Sequence, residues 1–304
     1  MSQFDKCKII AFANQKGGVG KTTSAVNIAA SLGTLSKKVL LVDFDPQGNA
    51  SSGVGAKKHP EKSTYDLIFG ENPYNCIEKT QFDNLDVIPA DISLAGAELE
   101  LADKQDRQFQ LKKALDTLRP DYDYIIIDCP PSLGLLTINS LSAADGVVVP
   151  MQCEYYALEG LSQLTFTISQ IKRMYSPRLE LIGVIVTMFD GRLNLSLQVL
   201  DELKKHFADK LFTVPVPRNV RLSEAPSYGM PALYFDKSSK GAQAYLELAK
   251  ELERRMLGIS YGVLAHTPAA MRRCNFGGRA SENSKFYLSR NLCLFVCHKC
   301  KHAD

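Results

Sequence analysis

The chain has 304 residues, of which 45% are apolar and 23% charged, which is ordinary for a soluble globular protein. It has no apolar run long enough to cross a bilayer and no apolar signal segment at its start, so we expect a cytoplasmic protein. The formal net charge is +3, but residues 259–304 hold seven of the 36 Lys/Arg and only two of the 33 Asp/Glu. Any nucleic-acid binding by residues 1–258 therefore requires a local basic patch.

The first predicted element is a short apolar strand, Ile9–Ala13, followed by a glycine-rich loop and a helix over residues 22–32. Residues 15–22 read Gln-Lys-Gly-Gly-Val-Gly-Lys-Thr, close to the phosphate-binding pattern G-x-x-x-x-G-K-[ST]. The strand–loop–helix order is the context that this motif needs. We expect the loop amides to surround a β-phosphate, Lys21 to neutralise the β- and γ-phosphates, and the Thr22 hydroxyl to bind Mg²⁺.

The loop departs from the common pattern at two positions. Gln15 occupies the place of the first glycine, and Lys16 adds a second cation beside Lys21. Two neighbouring cations repel each other unless more negative charge comes within reach. Lys16 need not serve the nucleotide of its own chain, so the loop favours a nucleotide-driven dimer switch over a generic ATPase.

Beyond the loop, apolar strands alternate with amphipathic helices. The clearest strands are Val39–Val42 and Tyr124–Asp128, and apolar residues recur at helical spacing from Leu158 to Ile171. This alternation predicts an α/β fold of the P-loop NTPase type, a doubly wound, mainly parallel sheet with helices on both faces, in a single domain over residues 1–258. The other predicted elements are a mobile loop at 48–64, strands at 85–89, 147–150, 181–186 and 212–216, two helices within 94–118, and a closing helix built on Tyr245, Leu248, Ala249, Leu252 and Met256.

Acidic side chains follow two of these strands. Asp43 and Asp45 follow Val39–Val42, and Asp128 ends the strand that begins at Tyr124. Ligands of such folds bind at the carboxyl ends of the strands. We therefore expect Asp128 to hold Mg²⁺ directly or through a water, Asp43 to support that site, and Asp45 to orient an attacking water. The alternatives are a helix-capping role for Asp128 and turn-forming roles for the other two.

The eight cysteines form two groups of four. Those of the first group are scattered through the predicted core, which favours reduced, structural thiols: Cys7, Cys76, Cys129 and Cys153. The others lie in residues 259–304, which we predict to be a basic, disordered extension. Its Cys293, Cys297, Cys300 and His302 have spacings that could ligate zinc. An altered reading frame at the end of the gene is a further explanation.

Residues 8–257 resemble the ParA/Soj chromosome- and plasmid-partitioning ATPases, within the deviant Walker A group that includes MinD. The first matching segment is shared across the wider group, whereas the last two point specifically to ParA/Soj. In order, the segments are KGGVGKTT at 16–23, VDFDPQGN at 42–49, IDCPP at 127–131, QCEYYALEG at 152–160 and PRNVRLSEAP at 217–226.

The resemblance implies a Mg²⁺-dependent ATPase that forms a sandwich homodimer when ATP is bound. Lys16 would cross the interface to the partner's phosphates and act in catalysis with Lys21, and Asp45 would be the hydrolytic aspartate. The nucleotide-binding residues implied are Lys16, Gly17, Gly18, Val19, Gly20, Lys21, Thr22 and Thr23, with Pro217 and Asn219 in the adenine-contacting loop.

The resemblance also implies a DNA-bound, nucleoid-associated dimer without sequence preference. A ParB/Spo0J-like protein at centromere-like sites would stimulate hydrolysis and release it. Arg192, Arg218 and Arg221 match the family's basic surface positions, although each is also explained as an ordinary surface arginine. Only about seven residues precede the first strand, so we expect no N-terminal helix-turn-helix for operator binding.

Two rival functions belong to the same superfamily. A MinD-like positioning ATPase would bind membrane through an amphipathic C-terminal helix, but residues 243–257 are typical of a core helix. The apolar segment 286–296 leaves this alternative open. An iron–sulfur carrier would need paired cysteines between subunits, and no Cys-x-x-Cys precedes residue 259.

Overall fold

A seven-stranded sheet is the centre of the part of the chain that this computed structural model describes, residues 7–57, 59–155 and 157–258. Most of its strands are buried on both faces because their sequences are almost wholly apolar. The strands are Lys8–Phe12 (β1), Val39–Asp43 (β2), Glu78–Lys79 (β3), Leu85–Ile88 (β4), Tyr124–Asp128 (β5), Gly146–Gln152 (β6) and Glu180–Thr187 (β7).

The strand order is β3-β4-β2-β5-β1-β6-β7, and every pairing is parallel except β3 with β4. From β1 the chain winds first toward β2 and later, from β5, toward β6 on the other side. This order is that of a doubly wound sheet whose direction reverses at β1. The predicted fold class is confirmed.

Helices cover both faces of the sheet. Alternate residues of β1 point to opposite cores, so Ile9 and Ala11 lie in one and Ile10 and Phe12 in the other. The helices are Lys21–Thr34 (α1), Asn49–Gly53 (α2), Thr64–Ile68 (α3), Ala97–Leu101 (α4), Gln110–Leu118 (α5), Leu135–Ala143 (α6), Ala157–Met174 (α7), Asn194–Phe207 (α8), Val220–Glu224 (α9), Ala232–Phe235 (α10) and Lys240–Met256 (α11).

Two predicted elements are wrong. Residues 212–216 do not form a strand of the sheet, although the segment runs beside β7 through two isolated bridges at Leu211 and Pro217. The backbone hydrogen bonds to β7 run from Phe212 to Val184 and next from Val216 to Val186, so four residues of the segment lie beside two residues of β7 and no regular ladder forms. Within the loop predicted at 48–64, residues 49–53 form α2 instead of a mobile loop.

The predicted extension at 259–304 and its zinc hypothesis are outside the described residues. In the part that is described, no helix combines the length and apolar character that crossing a membrane would require. The apolar side chains of α11, such as Tyr245, Leu248 and Leu252, are buried in the core, as expected for a closing core helix.

Candidate nucleotide-binding site

The predicted site residues meet where β1, β2 and β5 end. Asp43 lies directly opposite Asp128 in the β2–β5 register, and Phe12, the last residue of β1, lies opposite Asp128 on its other side. The glycine-rich loop follows Phe12 and leads into α1 at Lys21. The loop and the two carboxylates therefore share the carboxyl edge of the sheet, at the position where its winding reverses.

The loop is shaped to receive an anion. Gly18 and Gly20 have φ of 72° and 85°, a left-handed conformation that glycine adopts without a steric penalty. No hydrogen bond within the described residues uses the backbone N–H groups of residues 17 to 20. These free donors precede the N-terminus of α1, whose dipole also favours negative charge.

The two loop lysines lie in different surroundings. Lys21 is 6% exposed, and its Nζ donates to the carbonyl of Lys16 at 3.2 Å. Burial lowers the pKa of Lys21, and the nearby Asp128 opposes that shift. The Lys16 side chain is 55% exposed and forms an ion pair with Glu154. Lys21 thus belongs to the loop interior, whereas Lys16 lies at its rim.

Asp43 is fully buried and has its hydrogen bonds satisfied. Its Oδ2 accepts from the backbone N–H and the hydroxyl of Ser51, both at 2.7 Å, and its Oδ1 accepts from the N–H of Asp45 at 3.2 Å. Burial still raises its pKa to about 6, against the lowering effect of the Ser51 hydrogen bonds. These bonds also explain α2, because Ser51 ties that helix to the end of β2.

Asp128 is the opposite case. Both of its carboxylate oxygens are buried, and among the described residues neither has a hydrogen-bond partner. Burial, followed by the charge of Asp43, raises its pKa well above the ordinary value. The Thr22 hydroxyl lies close enough to lower the pKa of Asp128 by donating toward its carboxylate. No hydrogen bond of normal geometry, however, joins Thr22 and Asp128. A buried carboxylate without partners, next to a hydroxyl, fits a site for Mg²⁺.

The rest of the site agrees with a Mg²⁺ ion that is coordinated partly by the protein and partly by a bound phosphate. In the described ranges, no three His, Cys, Asp or Glu side chains come together as a metal cage. Mg²⁺ characteristically takes one or two protein ligands and completes its shell with water and phosphate oxygens. Thr22 and Asp128 would hold the Mg²⁺ ion, and Asp43 would support them without contacting it.

Asp45 is the third carboxylate at this edge of the sheet. It is 7% exposed, and its Oδ1 accepts from the N–H of Gln47 at 3.0 Å.

The segment predicted to contact adenine lies on the β7 side of the loop. Pro217 pairs with Phe189, two residues beyond the end of β7, and the Asn219 side chain caps α9 through the N–H of Arg221. A cavity of about 450 Å³ opens beside Thr22, and its lining includes neither Pro217 nor Asn219. That lining is uncharged: Thr22, Thr23, Val26, Asn27, Asn49, Ser52, Gly53, Ala225, Pro226, Ser227 and Met230.

Two of the three arginines predicted to bind DNA carry ion pairs. Arg192 bonds to both oxygens of Asp190 at 2.9 and 2.7 Å, and these bonds, with a smaller contribution from the charge of Arg218, lower the pKa of that aspartate to about 2. Arg221 contacts Glu224 at 2.8 Å and Asp236 at 3.3 Å. The arginines are exposed, but the surface that they form also contains carboxylates.

Two side chains that contact the loop were not assigned a role from the sequence. Gln152, the last residue of β6, donates to the carbonyl of Gly18, and Thr187, the last residue of β7, contacts the carbonyl of Val19. The signal that identified Asp43 and Asp128, a polar residue at the end of an apolar strand, applies equally to both. A carboxylate suggests chemistry more readily than an amide or a hydroxyl.

Together, the doubly wound sheet, the glycine-rich loop at its carboxyl edge and the unpartnered aspartate define a P-loop nucleotide-binding protein. A family model described as an AAA domain matches residues 7–181. The sporulation initiation inhibitor protein Soj of Bacillus subtilis strain 168 is 56% identical over 247 residues, which covers 81% of this chain and 98% of Soj. The chromosome partitioning protein ParA of Myxococcus xanthus strain DK1622 is 52% identical over 250 residues, covering 82% and 88%.

A solved structure of cobyrinic acid a,c-diamide synthase from Mycobacterium smegmatis, with bound ADP and magnesium, has a TM-score of 0.72 and 38% identity. The match covers 82% of this chain and 94% of the synthase chain.

The chain belongs to the ParA/Soj family of partitioning ATPases. The prediction of ATP and Mg²⁺ as cofactors is confirmed at the level of relatives, since ADP and magnesium occupy that structure.

The cysteines do not favour the iron–sulfur alternative. The cysteines of the described residues are free, and Cys129 is completely buried. Burial raises the pKa of Cys129 to about 12 and that of Cys153 to about 11, so forming a thiolate costs more at either position than at an exposed cysteine. Cluster ligation requires thiolates.

The buried charge at Asp128 gives a first prediction. Asp128→Asn should raise the stability of the nucleotide-free protein by about 1–3 kcal/mol, because it removes an unpartnered buried carboxylate. For a domain of this size that is roughly 3–10 °C in Tm. Thermal melts of the variant and the wild type without nucleotide, with and without Mg²⁺, measure it. An unchanged or lower Tm for the variant in the absence of Mg²⁺ would contradict the assignment.

The same carboxylate makes this gain depend on pH. Because burial raises the folded-state pKa of Asp128, the folded wild type binds a proton that the unfolded chain has released. The group's contribution to stability therefore falls as the pH rises above about 4, the ordinary pKa of aspartate. The Tm difference between Asp128→Asn and wild type should be small near that pH and grow toward pH 8. A difference that shrinks with rising pH would contradict this sign.

Proposed function

We propose that this chain is an ATP-driven dimer switch that binds DNA without sequence preference. ATP and Mg²⁺ bind at the loop and the adjacent carboxylates, and two ATP-bound chains pair face to face. The dimer holds DNA, and hydrolysis stimulated by a ParB/Spo0J-like partner releases it. Support comes from membership of a family of partitioning ATPases and from the geometry of the loop.

The observation that carries this proposal is the contrast between the two loop lysines. Lys21 is buried and engages its own loop, so it serves the chain's own nucleotide. Lys16 is exposed at the rim, and its counter-ion is Glu154, not Asp43, Asp45 or Asp128. A lysine so placed can exchange this exposed ion pair for phosphate that belongs to a second chain. Its attraction to that phosphate exists only when nucleotide is bound, which makes dimerisation depend on ATP.

Each residue of the site has a distinct task in this scheme. The free N–H groups of residues 17 to 20 bind phosphate oxygens, and Lys21 neutralises their charge. Thr22 and Asp128 hold Mg²⁺, which neutralises charge on the phosphates when it is bound. Asp45 orients the attacking water. Hydrolysis removes the γ-phosphate that Lys16 contacts, and the dimer separates.

Sedimentation velocity tests the dimer directly. The protein should be monomeric without nucleotide and with ADP, and dimeric with a non-hydrolysable ATP analogue and Mg²⁺. An unchanged monomer with the analogue, in a sample that binds it, would rule out the switch. Pelleting with liposomes of anionic lipid under the same conditions tests the MinD-like alternative, for which membrane binding would require ATP.

The arginine surface gives a second prediction. Arg192→Ala or Arg221→Ala should weaken binding to random-sequence DNA while leaving the ATP-dependent dimer intact. Each arginine–phosphate contact that is removed makes the plot of log K against log salt less steep by about 1. A dimer has two copies of each arginine, so a single substitution should reduce the steepness by about 2. Asp190→Asn is the matched opposite change, because it frees Arg192 from its ion pair and should strengthen retention. Equal retention and equal slopes in all three variants would show that the surface does not bind DNA.

A further inference from the structure

The phosphate-binding loop is supported by two side chains from the other half of the sheet. The Thr187 hydroxyl is 2.7 Å from the carbonyl oxygen of Val19 and 3.0 Å from that of Met151, and Thr187 is 2% exposed. The Nε2 of Gln152 donates to the carbonyl of Gly18 at 2.7 Å. The contacts join residues 168 and 134 positions apart in sequence, at the ends of β7 and β6.

These two contacts determine where loop N–H groups point. A trans peptide unit is planar, and its C=O and N–H point in opposite directions. The carbonyl of Gly18 belongs to the same unit as the N–H of Val19, and the carbonyl of Val19 to that of Gly20. Holding each carbonyl against the β6–β7 side therefore turns the N–H groups of Val19 and Gly20 to the other side.

A third peptide unit is fixed in a similar way from inside the loop. The Nζ of Lys21 binds the carbonyl of Lys16, which belongs to the same unit as the N–H of Gly17. The loop lacks the first glycine of the common pattern, since Gln15 stands there. Flexible glycine units need external partners to keep one orientation, because glycine loses the most conformational freedom on ordering. Two of the three partners come from Gln152 and Thr187.

We infer that Thr187 and Gln152 are positioning residues for nucleotide binding: they orient the N–H groups of Val19 and Gly20 toward the phosphates. The inference rests on the proposed binding of ATP at this loop. It gives the last residues of β6 and β7 a role that they exert through their contacts with the loop. Pre-oriented donors bind phosphate without the entropy cost of first ordering the loop.

The surroundings of Thr187 allow a clean substitution. Thr187 is 2% exposed, so a substitution must keep the shape of its side chain. Valine has the same shape as threonine and would keep this packing, so Thr187→Val removes little besides the hydroxyl. Thr187→Ser keeps the hydroxyl and removes only the methyl group.

The test is MgADP and MgATP binding by titration calorimetry, with Tm measured on each variant. Thr187→Val should weaken both affinities about 10- to 100-fold, the effect of impairing hydrogen bonds to a charged group. Thr187→Ser should bind within about threefold of wild type. Wild-type affinity in Thr187→Val, with a normal Tm, would overturn the inference. Failure of the wild type itself to bind either nucleotide would instead overturn the proposed function.

A spectroscopic measurement separates positioning from simple structural support. In protein labelled with ¹⁵N-glycine, MgADP should shift the Gly20 amide proton strongly downfield in the wild type and in Thr187→Ser, as expected for an N–H bonded to phosphate. The shift should be much smaller in Thr187→Val. An equal shift in all three proteins would overturn the inference. If Thr187→Val does not fold, the half-buried Gln152 provides the test. In protein labelled with ¹⁵N-valine, Gln152→Leu should lose the downfield shift of the Val19 amide on addition of MgADP. An unchanged shift would overturn the inference.

Discussion

Lys16→Ala is expected to abolish ATP-dependent dimerisation while leaving ATP affinity close to that of the wild type. A dimer contains two copies of Lys16, and each would bond to a phosphate of the partner. A hydrogen bond to a charged group contributes about 1.5–3 kcal/mol, so the loss of two weakens the dimer roughly 10²- to 10⁴-fold. Sedimentation velocity with the ATP analogue measures dimerisation, and calorimetry measures nucleotide affinity.

Glu154→Gln provides a matched control for this prediction. In the monomer Glu154 pairs with Lys16 at the exposed rim of the loop, and this pair must break before Lys16 reaches a partner. An exposed pair contributes about 0.2–1 kcal/mol, so freeing two lysines should strengthen the dimer about 2- to 30-fold. Opposite changes in the two variants are expected. Unimpaired dimerisation of Lys16→Ala would show that the lysine does not act across an interface.

Asp45→Ala is expected to lower the rate of ATP hydrolysis by about 10²- to 10⁴-fold, the usual contribution of a group that accepts a proton from, or orients, the attacking water. Binding of ATP should change little, because the loop amides and Lys21 remain. The dimer should then persist on DNA after ATP is added, whereas the wild type is released. Phosphate release and DNA retention over time measure the two effects.

Asp43→Asn distinguishes this role from a general loss of charge at the site. Asp43 is buried and bonded to Ser51, so its replacement should disturb α2 and the stability of the protein as well as hydrolysis. Asp45→Ala should leave the Tm within a few degrees of wild type. Hydrolysis by Asp45→Ala at the wild-type rate would remove this aspartate from the mechanism.

The strands, and the meeting of the glycine-rich loop and two carboxylates at one edge of the sheet, could be predicted because their signals are local. β2 and β5 are continuous apolar runs that each end in an aspartate, and the parallel sheet brings those ends together. The loop motif occupies eight consecutive residues. The fold, the position of the loop and the position of the carboxylates can therefore be read from short segments of sequence. The only further rule needed is that ligands bind at the carboxyl ends of parallel strands.

Other features depend on contacts between distant residues and could not be predicted. The Lys16–Glu154 pair and the contacts of Gln152 and Thr187 with the loop join residues more than 130 positions apart. The difference between Asp43, which is satisfied by Ser51, and Asp128, which has no partner among the described residues, depends on where α2 packs. The prediction of a strand at 212–216 is wrong because the apolar pattern does not show that this segment loses its register with β7 between Phe212 and Val216.

The dimer switch is best tested by binding to random-sequence DNA with and without ATP, for wild type, Lys16→Ala and Lys21→Ala. Strong retention on DNA is expected only for wild type with ATP. Lys21→Ala should fail because it does not bind nucleotide productively, and Lys16→Ala should fail although it binds ATP. DNA binding that is indifferent to ATP and to both lysines would contradict the dimer switch.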